Sequence, residues 1–333
     1  MKAYDESWDR PHPPGQHPSW QESDWLTFFD PAAGVGGIYR IGQEPNRGRG
    51  QPNLFVFALG GQRYLMRDLG GRGTDVVLAA GDRWESGYRV GGHRVDAAGR
   101  GKLRFRWEYP ETSADLAFHD SHYTPRDWST SGKGEGIIAT LNADGHLECG
   151  GKLRGRVRIG ADSYDIDCFA HRDRSWGDRD HYMRRMRRAF GAWGTVGPEF
   201  SFAVMRLELI TGETLVTGFV QRLDRADDIA DARFLTTLDR DFVSPVAGCV
   251  LVSLESGETL RVDCGIAQAH GGFAPGISFN SVGSLVWEGR SGFCDYSATG
   301  NPGAGDHVAS ASETTLIALE SGLSASAAQP HNP

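Results

Sequence analysis

Between Lys102 and Tyr109 the chain reads KLRFRWEY, with Leu103, Phe105 and Trp107 alternating against Arg104, Arg106 and Glu108. A period of two puts apolar side chains on one face of an extended strand and charges on the other. Lys152–Ile159, Phe200–Leu209 and Glu213–Arg222 repeat the pattern, and Cys249–Leu254, Leu260–Cys264 and Ser284–Glu288 are further strand candidates. Short turns join Pro52–Gly60 to Gln62–Arg67 and Lys102–Tyr109 to Ala114–His119, so each pair is read as a hairpin. The 45 glycines fall in pairs and turns, such as Thr211-Gly212-Glu213 and Ser256-Gly257-Glu258, with no collagen-like period. Helical signals are confined to Asp178–Ala192 and to DRADDIADAR at Asp224–Arg233. The expectation is an all-β, mostly antiparallel protein with strands enough for two sheets or barrels. The polar, proline-rich first 18 residues and the last dozen have the composition of frayed tails.

A formal net charge of −8 gives nucleic acid no electrostatic footing. The basic group Arg184, Arg185, Arg187 and Arg188 is balanced locally by Asp178 and Asp180. The five cysteines, Cys149, Cys168, Cys249, Cys264 and Cys294, are widely spaced and odd in number, which suits free thiols in a reducing cytoplasm. The N-terminus has no apolar core of a signal peptide, and no run approaches the length of a membrane-spanning helix.

Chemistry concentrates in His171-Arg172-Asp173-Arg174-Ser175-Trp176-Gly177-Asp178-Arg179-Asp180, followed by His181. An exposed loop has no reason to carry an indole between Asp/Arg pairs, and a core strand none to carry the charges. On a strand, His171, Asp173 and Ser175 share one face, and Arg172, Arg174 and Trp176 the other. A second polar cluster, His119-Asp120-Ser121-His122-Tyr123, ends the predicted Ala114–His119 strand. Its metal reading through His119, Asp120 and His122 lacks a fourth ligand, so no metal is expected. Gly34–Gly37 lacks the dinucleotide-binding form, and no nucleophile elbow occurs.

Three segments together resemble a known family: WLTFFDPAAGVGGIYRIGQEPNRG at Trp25–Gly48, the strand pair at Trp107–His119, and RDRSWGDRD at Arg172–Asp180. Their order is similar to the two-domain lipocalin-like proteins that include carotenoid 1,2-hydratase (hydroxyneurosporene synthase), kievitone hydratase and AttH-like proteins. The likeness covers residues 20 to 300. It implies two consecutive lipocalin-like antiparallel β-barrel or sandwich domains, here placed at 1–170 and 171–325, with the RDRSWGDRD motif opening the second. It also implies a greasy pocket and, where members are enzymes, water addition or removal at a double bond, or cyclisation. One departure matters. The hydratases carry HDHNWG where this chain has Arg172-Asp173-Arg174-Ser175-Trp176-Gly177, so the histidines fall on Arg172 and Arg174 and their proton-transfer roles do not carry over.

The expected activity is that of a cofactor-independent hydro-lyase or cyclase acting on a terpenoid or similar hydrophobic molecule. Such chemistry needs a proton donor, a held water and aromatic faces for a transient carbocation. Asp173 is the expected acid, His181 or His171 the base, and Trp176 the wall facing the cation. Arg172, Arg174 and Arg179 hold the carboxylates, while Trp107 and His119 complete the substrate-binding set. An equal reading of Asp173 is a structural ion pair to Arg179. The rivals are a non-catalytic carrier of hydrophobic ligands and a pericyclase or isomerase on the same fold. The only partner expected is the small molecule; the sequence also allows a homodimer.

Overall fold

The period-two segments pair as antiparallel strands throughout. The computed structural model describes residues 4–66, 76–120, 126–127, 144–178, 186–223, 225–238, 245–271 and 278–300. A long curled sheet runs, in spatial order, through Arg63–Met66, Arg49–Ala58, Val35–Glu44, Trp20–Asp30, Asp162–Asp178, Gly145–Ile159, Thr112–His119, Lys102–Glu108, His93–Ala97, Gly87–Val90 and Arg83–Trp84. Arg126–Asp127 adds a short strand against Gly145–Ile159, and Val76–Val77 another against Arg49–Ala58. The rest is a closed eight-stranded barrel of Met186–Thr195, Ser201–Leu209, Thr214–Arg222, Arg225–Leu238, Pro245–Leu254, Thr259–Gly271, Ser278–Trp287 and Arg290–Gly300, the first strand pairing with the last.

Each unit has its own core. Leu103, Phe105 and Trp107 point into the curled sheet beside Leu26, Phe28 and Tyr39. Phe190, Phe202, Phe234 and Tyr296 fill the barrel. A third apolar cluster joins the two: Phe29, Ile38, Phe55 and Phe57 of the sheet meet Val282 and Phe293 of the barrel. All five cysteines are free and buried. Among the described residues no helix is long and apolar enough to cross a membrane.

Three expectations need correction. Met186–Thr195 and Arg225–Leu238 are strands, not helices. In the latter a register shift between Ile229 and Asp231 turns the step of two into Ile229, Ala232, Phe234, and that spacing of three imitates a helix. The N-terminal tail is not frayed over its described part, because Asp9 is buried under the curled sheet. Finally, Arg172–Asp178 of the RDRSWGDRD motif lies on Asp162–Asp178, an inner strand of the first sheet, and the first strand of the barrel starts at Met186.

Candidate active site at the seam between sheet and barrel

Arg172, Arg174 and Trp176 point into the curled sheet, as alternation requires. Arg174 is fully enclosed and pairs with Glu22 at 2.6 Å and Asp24 at 2.6 Å, and it donates to the Arg10 carbonyl at 2.8 Å. Burial works against the Glu22 charge, but Arg174, His12 and Arg83 overcome it and hold the carboxyl down at about 2. At Asp24 burial outweighs Arg174, so that carboxyl is pushed up. Arg172 pairs with Asp9 at 2.9 Å and lies over the Phe118 ring. Trp176 stacks on His12 with centroids 3.9 Å apart. Gly177 follows in the strand at φ 128°, a conformation that side-chain-bearing residues rarely adopt. This row is therefore an internal ion network closed by the N-terminal segment.

His171, Asp173 and Ser175 point the other way, toward the barrel. Strand pairing sets His146 against Ser175, Glu148 against Asp173 and Gly150 against His171, and on the other side Trp25 against Asp173 and Thr27 against His171. These side chains share one face. Glu148 is the hub: Oε1 meets His146 Nε2 at 3.0 Å and Oε2 makes a short contact with His171 Nε2. His146 Nε2 also lies 3.5 Å from Asp173. Burial opposes charge on His146, yet Asp173 and Glu148 prevail and raise it to about 10, so it is an imidazolium at neutral pH. These three residues have the spacing of a metal-ligand set.

The barrel supplies the opposing surface. Asp295 projects outward from Arg290–Gly300, beside Trp193 in the ladder, and is buried. Burial pushes its carboxyl up to about 8; Thr27 opposes this, and the charges of Glu148 and Asp173 add to the rise. Among the described residues no hydrogen bond reaches His171 Nδ1 or Trp193 Nε1. The Trp193 ring lies 6.1 Å from the His171 ring and packs with Phe219. Arg126, paired in register with Glu148, crosses the seam to reach the Phe219 ring and Asp228 at 2.8 Å. Gly150 permits this close approach, since a Cβ there would stand 2.7 Å from Ser201 Oγ.

Of the residues singled out in the sequence, His171 and Asp173 come together at the seam. Arg172, Arg174 and Trp176 lie behind them on the opposite face. Trp107 is core, its indole donating to Thr112 Oγ1 at 3.0 Å. His119 sits on an open surface groove of about 650 Å³ with Arg104, Arg154 and Arg156. Arg179, His181 and His122 lie outside the described residues. Sequence reasoning missed His146, Glu148, Arg126, Trp193 and Asp295. A signal for two of them was present: in GHLEC, His146 and Glu148 alternate with Leu147 and Cys149.

A family model described as a domain of unknown function, DUF7064, matches residues 5–302. No curated protein matches the chain by sequence. Among solved structures, an AttH-like protein from Nitrosomonas europaea superposes with a TM-score of 0.56 at 12% identity, covering 85% of this chain and 91% of that one. CghA, in complex with Sch210972, gives 0.56 at 14% identity, with 85% and 89% covered. Kievitone hydratase from Nectria haematococca gives 0.56 at 9% identity, with 84% and 88% covered. The chain thus shares the two-part β fold of these proteins along nearly their whole length.

Proposed function

The chain belongs to the DUF7064 family, and from the seam geometry we propose that it is a cofactor-independent acid–base lyase or cyclase acting on an apolar, isoprenoid-like molecule. The observation that carries this reading is the facing of Asp295, a buried carboxyl held up at about 8, onto the His146–Glu148–His171 cluster. One structural relative is named a hydratase and another holds a small molecule, Sch210972, which is the kind of use this frame supports.

The roles follow from proton bookkeeping. His171 meets Glu148 through Nε2, which leaves Nδ1 as the ring nitrogen turned to the site and assigned as the base. Asp295 is the acid: it gives its proton to an alkene carbon and becomes a carboxylate, leaving a carbocation. Water adds its oxygen to that cation and loses a proton to His171 Nδ1. The net change is H and OH across the double bond, and the proton on His171 returns to Asp295 through solvent. Dehydration reverses each step; in cyclisation a second alkene attacks the cation, and the new cation that this forms loses a neighbouring C–H proton to His171 Nδ1, giving a ring alkene. The His146 imidazolium balances Glu148 and Asp173, so Asp173 is a partner of His146 rather than the acid. Trp25 and Trp193 offer ring faces to the cation, each contributing about 0.5–2 kcal/mol when well placed.

The test is a panel of isoprenoid alkenes and tertiary alcohols followed by mass spectrometry in H218O. Turnover that Asp295→Asn and His171→Asn each lower by about 10²–10⁴-fold is expected, with a smaller loss for Asp173→Asn. Full activity in Asp295→Asn overturns the assignment of the acid. Ligand binding with no turnover across the panel leaves a carrier instead of an enzyme.

A further inference from the structure

Among the described residues, Arg126 is a buried cation at the seam that the proton chemistry does not use. Its side chain is 4% exposed and reaches Asp228 through a single nitrogen, while Nε and Nη1 have no hydrogen-bond partner among the described residues. The carboxylate nearest in register, Glu148, is committed through both oxygens to His146 and His171. Trp193 Nε1 is a further buried donor without a partner. Contacts close a ring around these groups: Glu148 to His171, His171 to Trp193, Trp193 to Phe219, Phe219 to Arg126, and Arg126 beside Glu148 in the ladder. Buried donors left over on one side of a site call for an acceptor from outside the chain.

Resting on the seam as the ligand site, we infer that its substrate is an anionic amphiphile, an apolar molecule bearing a carboxylate that Arg126 holds while the apolar part lies toward Trp193 and Trp25. A carboxylate is the match for a guanidinium with free donors, and a charge-assisted contact of this kind favours the acid over the alcohol by about 10-fold or more. Arg126 is then a binding residue that fixes which end of the molecule meets Asp295.

Retinoate and retinol serve as probes, because they share an isoprenoid body and differ in the charged end. Dissociation constants from quenching of tryptophan fluorescence should show retinoate binding about 10-fold more tightly or better. Arg126→Gln should erase that preference and leave retinol within about twofold. Asp228→Asn frees the third face of the guanidinium and should keep or enlarge the preference; it decides the matter if Arg126→Gln does not fold. Equal binding of the two probes, or a preference unchanged in Arg126→Gln or lost in Asp228→Asn, overturns the inference and spares the lyase reading. Binding of neither probe overturns both.

Discussion

An aspartic acid that stays protonated in the folded protein leaves a thermodynamic trace that needs no knowledge of the substrate. The Asp295 carboxyl rises from 3.8 to about 8 on folding, so between these values the native state holds a proton that the unfolded chain has lost. Stability should therefore fall as pH climbs through that window, by up to about 1.4 kcal/mol per unit from this group. Denaturant titrations from pH 5 to 8 should show the slope, and Asp295→Asn should flatten it; an unchanged slope in the variant contradicts the assignment. His146 acts in the same direction over a higher window. Raised from 6.5 to about 10, its contribution is complete below 6.5 and disappears as pH rises through 10. His146→Gln leaves Glu148 and Asp173 without their cation and should cost about 3–5 kcal/mol at pH 7. The division of residues 171–176 into two faces was legible in the sequence because a period of two is local. What each face meets was not, since Asp295 reaches the same seam from more than a hundred residues away through the packing of two units.

At the scale of elements, the N-terminal segment is the clearest case of a part whose role its own composition conceals. Asp5 to His12 is polar and proline-flanked, yet Asp9 is the counter-ion of buried Arg172, and His12 both stacks on Trp176 and bonds Glu22 at 2.8 Å. Asp9→Asn strands a guanidinium in the interior and should lower stability by about 3–5 kcal/mol, measurable as a fall in Tm. A variant within about 0.5 kcal/mol of the parent counts against the segment's closing role. The strands themselves were largely legible: the hairpins at Arg49–Ala58 with Arg63–Met66 and at Lys102–Glu108 with Thr112–His119 follow the alternation and turns. Arg225–Leu238 was not, because a bulge resets the local period and only pairing with Pro245–Leu254 across the barrel reveals it.

Across the whole molecule, function is assigned to the joint between the curled sheet and the barrel: neither unit alone brings Asp295 to His171. Gly150 is a point of close approach, with Ser201 and Thr195 of the barrel against it. Gly150→Val would push the two units apart, and overpacking of this kind costs about 1–3 kcal/mol. It should also return the Asp295 carboxyl toward 3.8 as water enters, whereas an unshifted carboxyl would mean that the seam does not set its chemistry. The most direct measurement is therefore the titration of Asp295 itself, by NMR of protein labelled with 13C at aspartate carboxyls, the resonance identified by its loss in Asp295→Asn. The account predicts a midpoint near 8. A midpoint below 5 would leave an ionised carboxylate at neutral pH, and the seam would have no acid to give.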